Sequence, residues 1–203
     1  MIFSIAYLPP VEFFVYALKP DEITIEACEN FIKQTYRNRC RIYGANGKLD
    51  LSIPLEHCRR PQLPLKEVKI SYNMPWNKIH WRTITAAYNK SAYFLYYRDN
   101  FEKFFSGNYH WLIEFNHDIL TECLKLLKLD KKVVYSDVFN KTYEADDLRM
   151  KINPKNIPEI IFQPYTQVFD VKYGFLSNLS IIDLLFNCGP DSLEYLESAA
   201  KSL

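Results

Sequence analysis

The 203-residue sequence predicts an α+β fold in a single domain spanning 1–203. It reads as strand-rich over 1–75, helical over 76–130, and irregular with short helices over 131–203. Three observations carry this. The hydrophobic period changes near residue 76 from alternation to steps of three and four, the mark of strands giving way to helices. Two alternating runs flank Gly44-Ala45-Asn46-Gly47, which is a hairpin signal. Apolar residues make up 48% of the chain and aromatics 16%, enough for one core, and 203 residues would crowd two domains.

The elements follow in order. Ile2 to Tyr7 is a short apolar run stopped by Pro9-Pro10, and Val11 to Leu18 has helical spacing with Phe14, Val15 and Leu18 on one face. Ile23 to Glu26 alternates and reads as a strand. In the hairpin, Leu49, Leu51, Ile53 and Leu55 share one face of the second strand. The first strand sets Arg37, Arg39 and Arg41 on one side and Asn38, Cys40 and Ile42 on the other. Asn46-Gly47 is the pair suited to a primed turn, and Pro54 puts the second strand at an edge or ends it. Residues 56–66, with two prolines and three cations, read as a loop, and Val68 to Tyr72 as one more strand. A helix is expected over Trp76–Tyr97, opening at Pro75, and a stronger one over Tyr109–Leu127, where Leu112, Ile119, Leu120, Cys123 and Leu127 recur at helical steps. Lys131–Tyr135 returns to a strand. Residues 151–178 read as irregular, Ser180 to Asp183 as a helix start, and 191–201 as a last helix beyond Gly189-Pro190.

Composition excludes several functions. Twenty-five basic against 24 acidic residues leave a net charge of +1, so no general attraction to nucleic acid or anionic membranes is expected. There is no run of about 18 apolar residues of the kind that spans a membrane, and the N-terminal stretch lacks a basic leader region; a cytoplasmic protein is expected. Five scattered cysteines form no Cys-x-x-Cys pair, which argues for reduced thiols rather than a disulfide framework or zinc site. P-loop, dinucleotide-binding, nucleophile-elbow and zincin motifs are all missing, and no cofactor or metal is expected.

The densest chemistry lies in 33–47, where Lys33, Arg37, Arg39 and Arg41 accompany Gln34 and Asn38 on and before the hairpin. Guanidinium forks suit phosphate or carboxylate; the plain alternative is a solvated strand face. His80, near the start of the first long helix, has the side chain of a general acid or base, or is structural. His57 with Cys58 suggests a thiol–imidazole pair, but neighbours on a strand point apart. His110 and His117 are too far apart along one helix to share a metal unaided. The aromatics from Tyr93 to Phe105 suit base or sugar stacking, or core packing.

Taken together, Tyr7-Leu8-Pro9, Lys33 with Asn38-Arg39, Ser52-Ile53-Pro54, and the later pattern of His80, Ile84, Ala87, Tyr88, Lys90, Tyr93 and Phe94 resemble the WbqC-like family. The tail, from Gln167 to Asn187, is similar to its Bacteroidetes branch. The resemblance implies a place in surface polysaccharide assembly, with an acyl or aminoacyl group, such as glycine, transferred to an amino-sugar nucleotide. On that reading Lys33, Arg37 and Arg39 hold the diphosphate, Asn38 orients the acceptor, and His80 takes the amine proton. Tyr7 and Tyr88 complete the ligand-binding set. The chain departs from the family where many members read His-Gln-Pro and it reads Ser4-Ile5-Ala6, so another substrate or no catalysis fits too. The rival class is a non-catalytic binding or assembly module that meets a protein partner or an anionic ligand through the cationic hairpin.

Overall fold

A computed structural model describes residues 1–56, 62–143 and 146–203. Helices and small sheets share one core, as an α+β fold requires. Strands β1 (Ile2–Phe3), β2 (Glu22–Ile25) and β5 (Lys132–Tyr135) form a parallel sheet in the order β1-β2-β5, with Ile2 opposite Thr24 and Thr24 opposite Val134. Helix α1 (Val11–Ala17) lies within the β1-to-β2 crossover, and the hairpin and main helices lie between β2 and β5. Parallel neighbours need such crossovers because a tight turn cannot reverse the chain twice.

The hairpin pairs β3 (Arg39–Gly44) with β4 (Gly47–Ser52), Cys40 opposite Leu51 and Arg41 opposite Asp50. Its two turn residues are Ala45 and Asn46. Gly47 alone takes positive φ, at 95°, so the turn is not the primed Asn46-Gly47 form. Leu51 and Ile53 face the core as expected, but Leu49 is 38% exposed, although Ile42 opposite it on β3 is fully buried.

The helix expected over Trp76–Tyr97 is two helices, α2 (Trp76–Tyr88) and α3 (Phe94–Ser106). The helical face does not run through Asn89–Tyr93, and Phe101, Phe104 and Phe105 turn the second helix back to the core. Helix α4 (Leu112–Leu126) matches its apolar stripe, while 68–72 makes only isolated bridges, Lys69 to Trp111 and Ile70 to Leu55. Within 151–178 there is one short helix, α5 (Asp170–Tyr173).

Helix α6 (Ile181–Cys188) runs through the core, with Ile181, Leu184, Leu185 and Phe186 at 0% exposure. Phe186 is packed edge-on by Phe94 and Phe101 and tilted against Tyr88, joining α2, α3 and α6; burying a side chain of this size stabilises by about 2–3 kcal/mol. Gly189 ends α6 at φ 56°, and a Cβ there would meet the Tyr93 ring at 2.5 Å. A second left-handed residue, Leu8 (φ 42°), precedes Pro9 and the start of α1. The last helix, α7 (Ser192–Ala200), packs against α1 and α6. Among the described residues no helix is long and apolar enough to cross a membrane.

Candidate functional site

Three parallel strands end at the same sheet edge, so the residues that follow them are brought together whatever their separation in sequence. Ser4 follows β1, Glu26 follows β2 and Ser136 follows β5. The ladder continues one step past each strand, with Glu26 N–H donating to Phe3 O and Ser136 N–H to Ile25 O, both at 2.9 Å.

Two carboxylates meet there. The Glu26 carboxylate accepts hydrogen bonds from the Ser136 and Tyr143 hydroxyls and from Cys28 N–H at 2.9 Å, with Arg149 Nη1 at 3.8 Å. Arg149 is itself held by Asp147, at 2.5 Å and 2.9 Å, and donates to the Asn140 and Lys141 carbonyls. Glu29 takes a two-pronged bond from Arg37, Nε at 2.9 Å and Nη2 at 2.7 Å, while Ser4 Oγ donates to Glu29 at 2.5 Å and accepts from Arg37 Nη2 at 2.6 Å. Glu26, Glu29, Arg37 and Arg149 are all buried. Burial alone would push the Glu26 carboxyl up, but its hydroxyl and amide donors prevail and hold it below the ordinary range. Asp147 is likewise held low, chiefly by Arg149. At the rim, Cys28 Sγ lies 3.3 Å from Asp137 O and 3.5 Å from Lys66 Nζ.

The edge can do two things chemically. Its carboxylates can orient a cationic or amine-bearing group, and its guanidinium groups can steady an anion. Among the described residues no group of three His, Cys, Asp or Glu side chains is arranged to hold a metal.

The structure brings only part of the sequence-derived set together. Arg37 sits in the turn before β3 and points inward to Glu29; it does not share a solvent face with Arg39 and Arg41, because a strand's alternation does not extend into a turn. Arg39 and Arg41 stay on the hairpin face, and both meet Asp50, at 3.5 Å and 2.9 Å, which cancels much of that face's charge. Lys33 is exposed. Asn38 is half-buried and donates to Ile53 O at 2.9 Å, closing the open end of the hairpin, and its carbonyl accepts from Ile53 N–H.

Tyr7 and His80 do meet, with Tyr7 Oη 3.0 Å from His80 Nδ1 inside a ring cluster that includes Trp76 and Phe115. Burial pushes the His80 imidazole down to about 4 against the upward pull of the Ser52 backbone, so it is neutral at neutral pH. Cys40 is buried beside Tyr7 and its thiol is pushed well up by burial, as befits a core residue. Tyr88 lies elsewhere: its hydroxyl donates to Asp183 at 2.9 Å and accepts from Tyr43 N–H at 3.1 Å. His117 meets Tyr135 Oη at 2.7 Å and His110 stacks edge-on against Trp111. The His57–Cys58 pair lies outside the described residues.

Sequence reasoning alone does not single out Ser4, Glu26, Glu29, Ser136 or Arg149 as binding or catalytic residues. The signal available was slight: Glu26 and Glu29 close or follow an alternating run.

Against known proteins, the chain matches the WbqC-like protein family over residues 6–156 and 141–195. It is similar to an uncharacterized protein, Rv1507c, of Mycobacterium tuberculosis, at 24% identity over 217 residues covering 94% of each chain. No solved structure matches.

Proposed function

As this chain belongs to the WbqC-like family, we propose that it transfers an acyl or aminoacyl group to the amine of an amino-sugar nucleotide, with the acceptor amine held at the carboxyl edge of the parallel sheet. The observation that carries the reading is the pair of buried carboxylates, Glu26 and Glu29, set between Arg37 and Arg149 where three strands end. Burying four charges opposes folding unless each is paired, and an apolar cluster of the same volume is often as stable. A ligand that uses those charges gives a reason for their place.

In this reading the acceptor amine takes the position of the Tyr143 hydroxyl on Glu26. The amine nitrogen attacks the carbonyl carbon of an activated acyl donor, the new C–N bond forms as the bond to the donor's leaving group breaks, and the amine's proton departs with that group. Lys33 and Arg39, which reach solvent, hold the diphosphate, and Asn38 keeps the hairpin at the proper distance. His80 is a positioning residue here, since Tyr7 occupies its Nδ1 and burial keeps it neutral.

Thermal shift with an amino-sugar nucleotide and its N-acetylated counterpart tests this, because a ligand of the folded state raises the melting temperature. The free amine is expected to stabilise the protein and the acetylated compound not to, with the difference lost in Glu26→Gln and the affinity lowered in Arg39→Ala. Mass spectrometry then reads amide formation once an acyl donor is added. Equal shifts from both compounds, or none from either, would replace the transferase with a binding module.

A further inference from the structure

A second site lies on the other side of the same chain segment. Tyr36 and Arg37 are neighbours, but Arg37 joins the sheet edge while Tyr36 lines a separate cavity of about 430 Å³ between the hairpin, residues 154–158 and residues 175–179. That volume is in the range of small-molecule sites. Its wall carries three cations, Arg41, Lys48 and Lys155, and no Asp or Glu. Lys48 and Lys155 are exposed and have no carboxylate partner among the described residues.

The neighbouring acids are already engaged. Asp50 is paired with Arg39 and Arg41. Glu159 is paired with Lys151 at 2.7 Å. Glu12 is buried and accepts from Asn178 Nδ2 at 3.1 Å. With Arg41 paired to Asp50, the unpaired positive charge at this hollow comes from Lys48 and Lys155, and it draws anions.

The walls are fixed before any ligand arrives. Arg41 Nη1 donates to Pro154 O at 3.2 Å, and Asn156 Nδ2 donates to the Met150 and Lys151 carbonyls, pinning one wall. Asn178 Oδ1 accepts from Glu12 N–H at 2.9 Å and Ser180 N–H donates to Arg41 O at 2.7 Å, pinning the other. A preformed site loses less entropy on binding. Tyr36 and Phe175 also line this space; Tyr36 is buried in the wall, and the half-buried Phe175 offers apolar surface beside the cations.

We propose that this cavity binds a nucleoside diphosphate, free or as part of a larger ligand, with Lys48 and Lys155 on the phosphates and Phe175 against the nucleoside. The site shares no residue with the sheet edge and does not depend on the transfer reaction.

Calorimetric titration of the full chain with ADP, UDP, pyrophosphate and adenosine tests it. Both nucleotides are expected to bind, more weakly as salt is raised, and pyrophosphate and adenosine each at least roughly tenfold less tightly, a difference of about 1.4 kcal/mol. The double variant Lys48→Glu, Lys155→Glu changes only exposed side chains and should keep the melting temperature while losing nucleotide affinity by a similar or larger factor. No nucleotide binding at millimolar concentration, equal binding of pyrophosphate, or undiminished binding by the double variant would each overturn the proposal. Since the double variant leaves every sheet-edge residue in place, its amine-dependent thermal shift reports separately on the transferase reading.

Discussion

Glu26 and Asp183 are both fully buried carboxylates, yet their surroundings drive them in opposite directions. Glu26 has hydroxyl and backbone donors with Arg149 nearby, and its carboxyl is held low in spite of burial. Asp183, in α6, accepts from Tyr88 at 2.9 Å, Tyr165 at 2.6 Å and Gln167 at 2.7 Å, with no ion-pair partner among the described residues, and burial pushes it up to about 6. Glu12 resembles Asp183: burial outweighs the Asn178 bond and raises it to about 7. Depth alone does not set the charge of a buried acid. The balance between lost hydration and the donors and cations supplied in its place does.

The largest effect should come from breaking the ion pairs at the sheet edge. Arg37→Met leaves Glu29 buried without its cation and is expected to cost about 3–5 kcal/mol in urea unfolding. Adding Glu29→Leu should restore much of that; a single variant that costs under about 1 kcal/mol would show that the charge never depended on Arg37.

Next comes pH. Glu12 and Asp183 bind protons more tightly folded than unfolded, so their contribution is complete below their ordinary range and is lost as pH rises towards about 7 and about 6. The contribution of each acid is thus expected to fall between about pH 4 and 7 by up to about 3 kcal/mol, since each tenfold gain in proton affinity on folding is worth about 1.4 kcal/mol. His80, pushed down to about 4, gains stability over about pH 4 to 6.5 and offsets part of that fall, so the acids are read from the difference between wild type and variant. Glu26 and Asp147, held low, act in the other direction and lose their contribution only in stronger acid. Melting curves from pH 4 to 8 for wild type and Asp183→Asn check this; an unchanged slope in the variant would remove Asp183 as its source.

Tyr165→Phe takes one donor from Asp183 and should cost about 1–2 kcal/mol, with a steeper pH slope as the carboxyl rises further. The smallest effect is expected at the hairpin surface, where Asp50→Asn breaks two partly exposed pairs and should change stability by under about 1 kcal/mol. A larger loss there would mean that the cationic face shapes the fold.

Local chemistry was legible in the sequence because it acts over a few residues. The alternation around Gly44–Gly47 marked the hairpin, the three-and-four spacing of Leu112 to Cys123 marked α4, and Pro75 marked the start of α2. The candidate site was much less so. Ser4, Glu26 and Ser136 are brought together only by the pairing of β1, β2 and β5, and no period within one strand says which distant strand lies beside it. Arg37 shows the same limit at short range: read by strand alternation it faced solvent, and the turn that ends at Asn38 reversed it.

By itself the sequence determined the α+β class, the hairpin, most helices and the family, since these follow from composition, period and recurring residues. Tertiary structure alone decided the parallel sheet, the carboxylates gathered at its edge, the neutral burial of His80 and the direction in which each buried acid is driven. These depend on which groups are brought near in space, and solvation and Coulomb forces respond to that distance rather than to position along the chain.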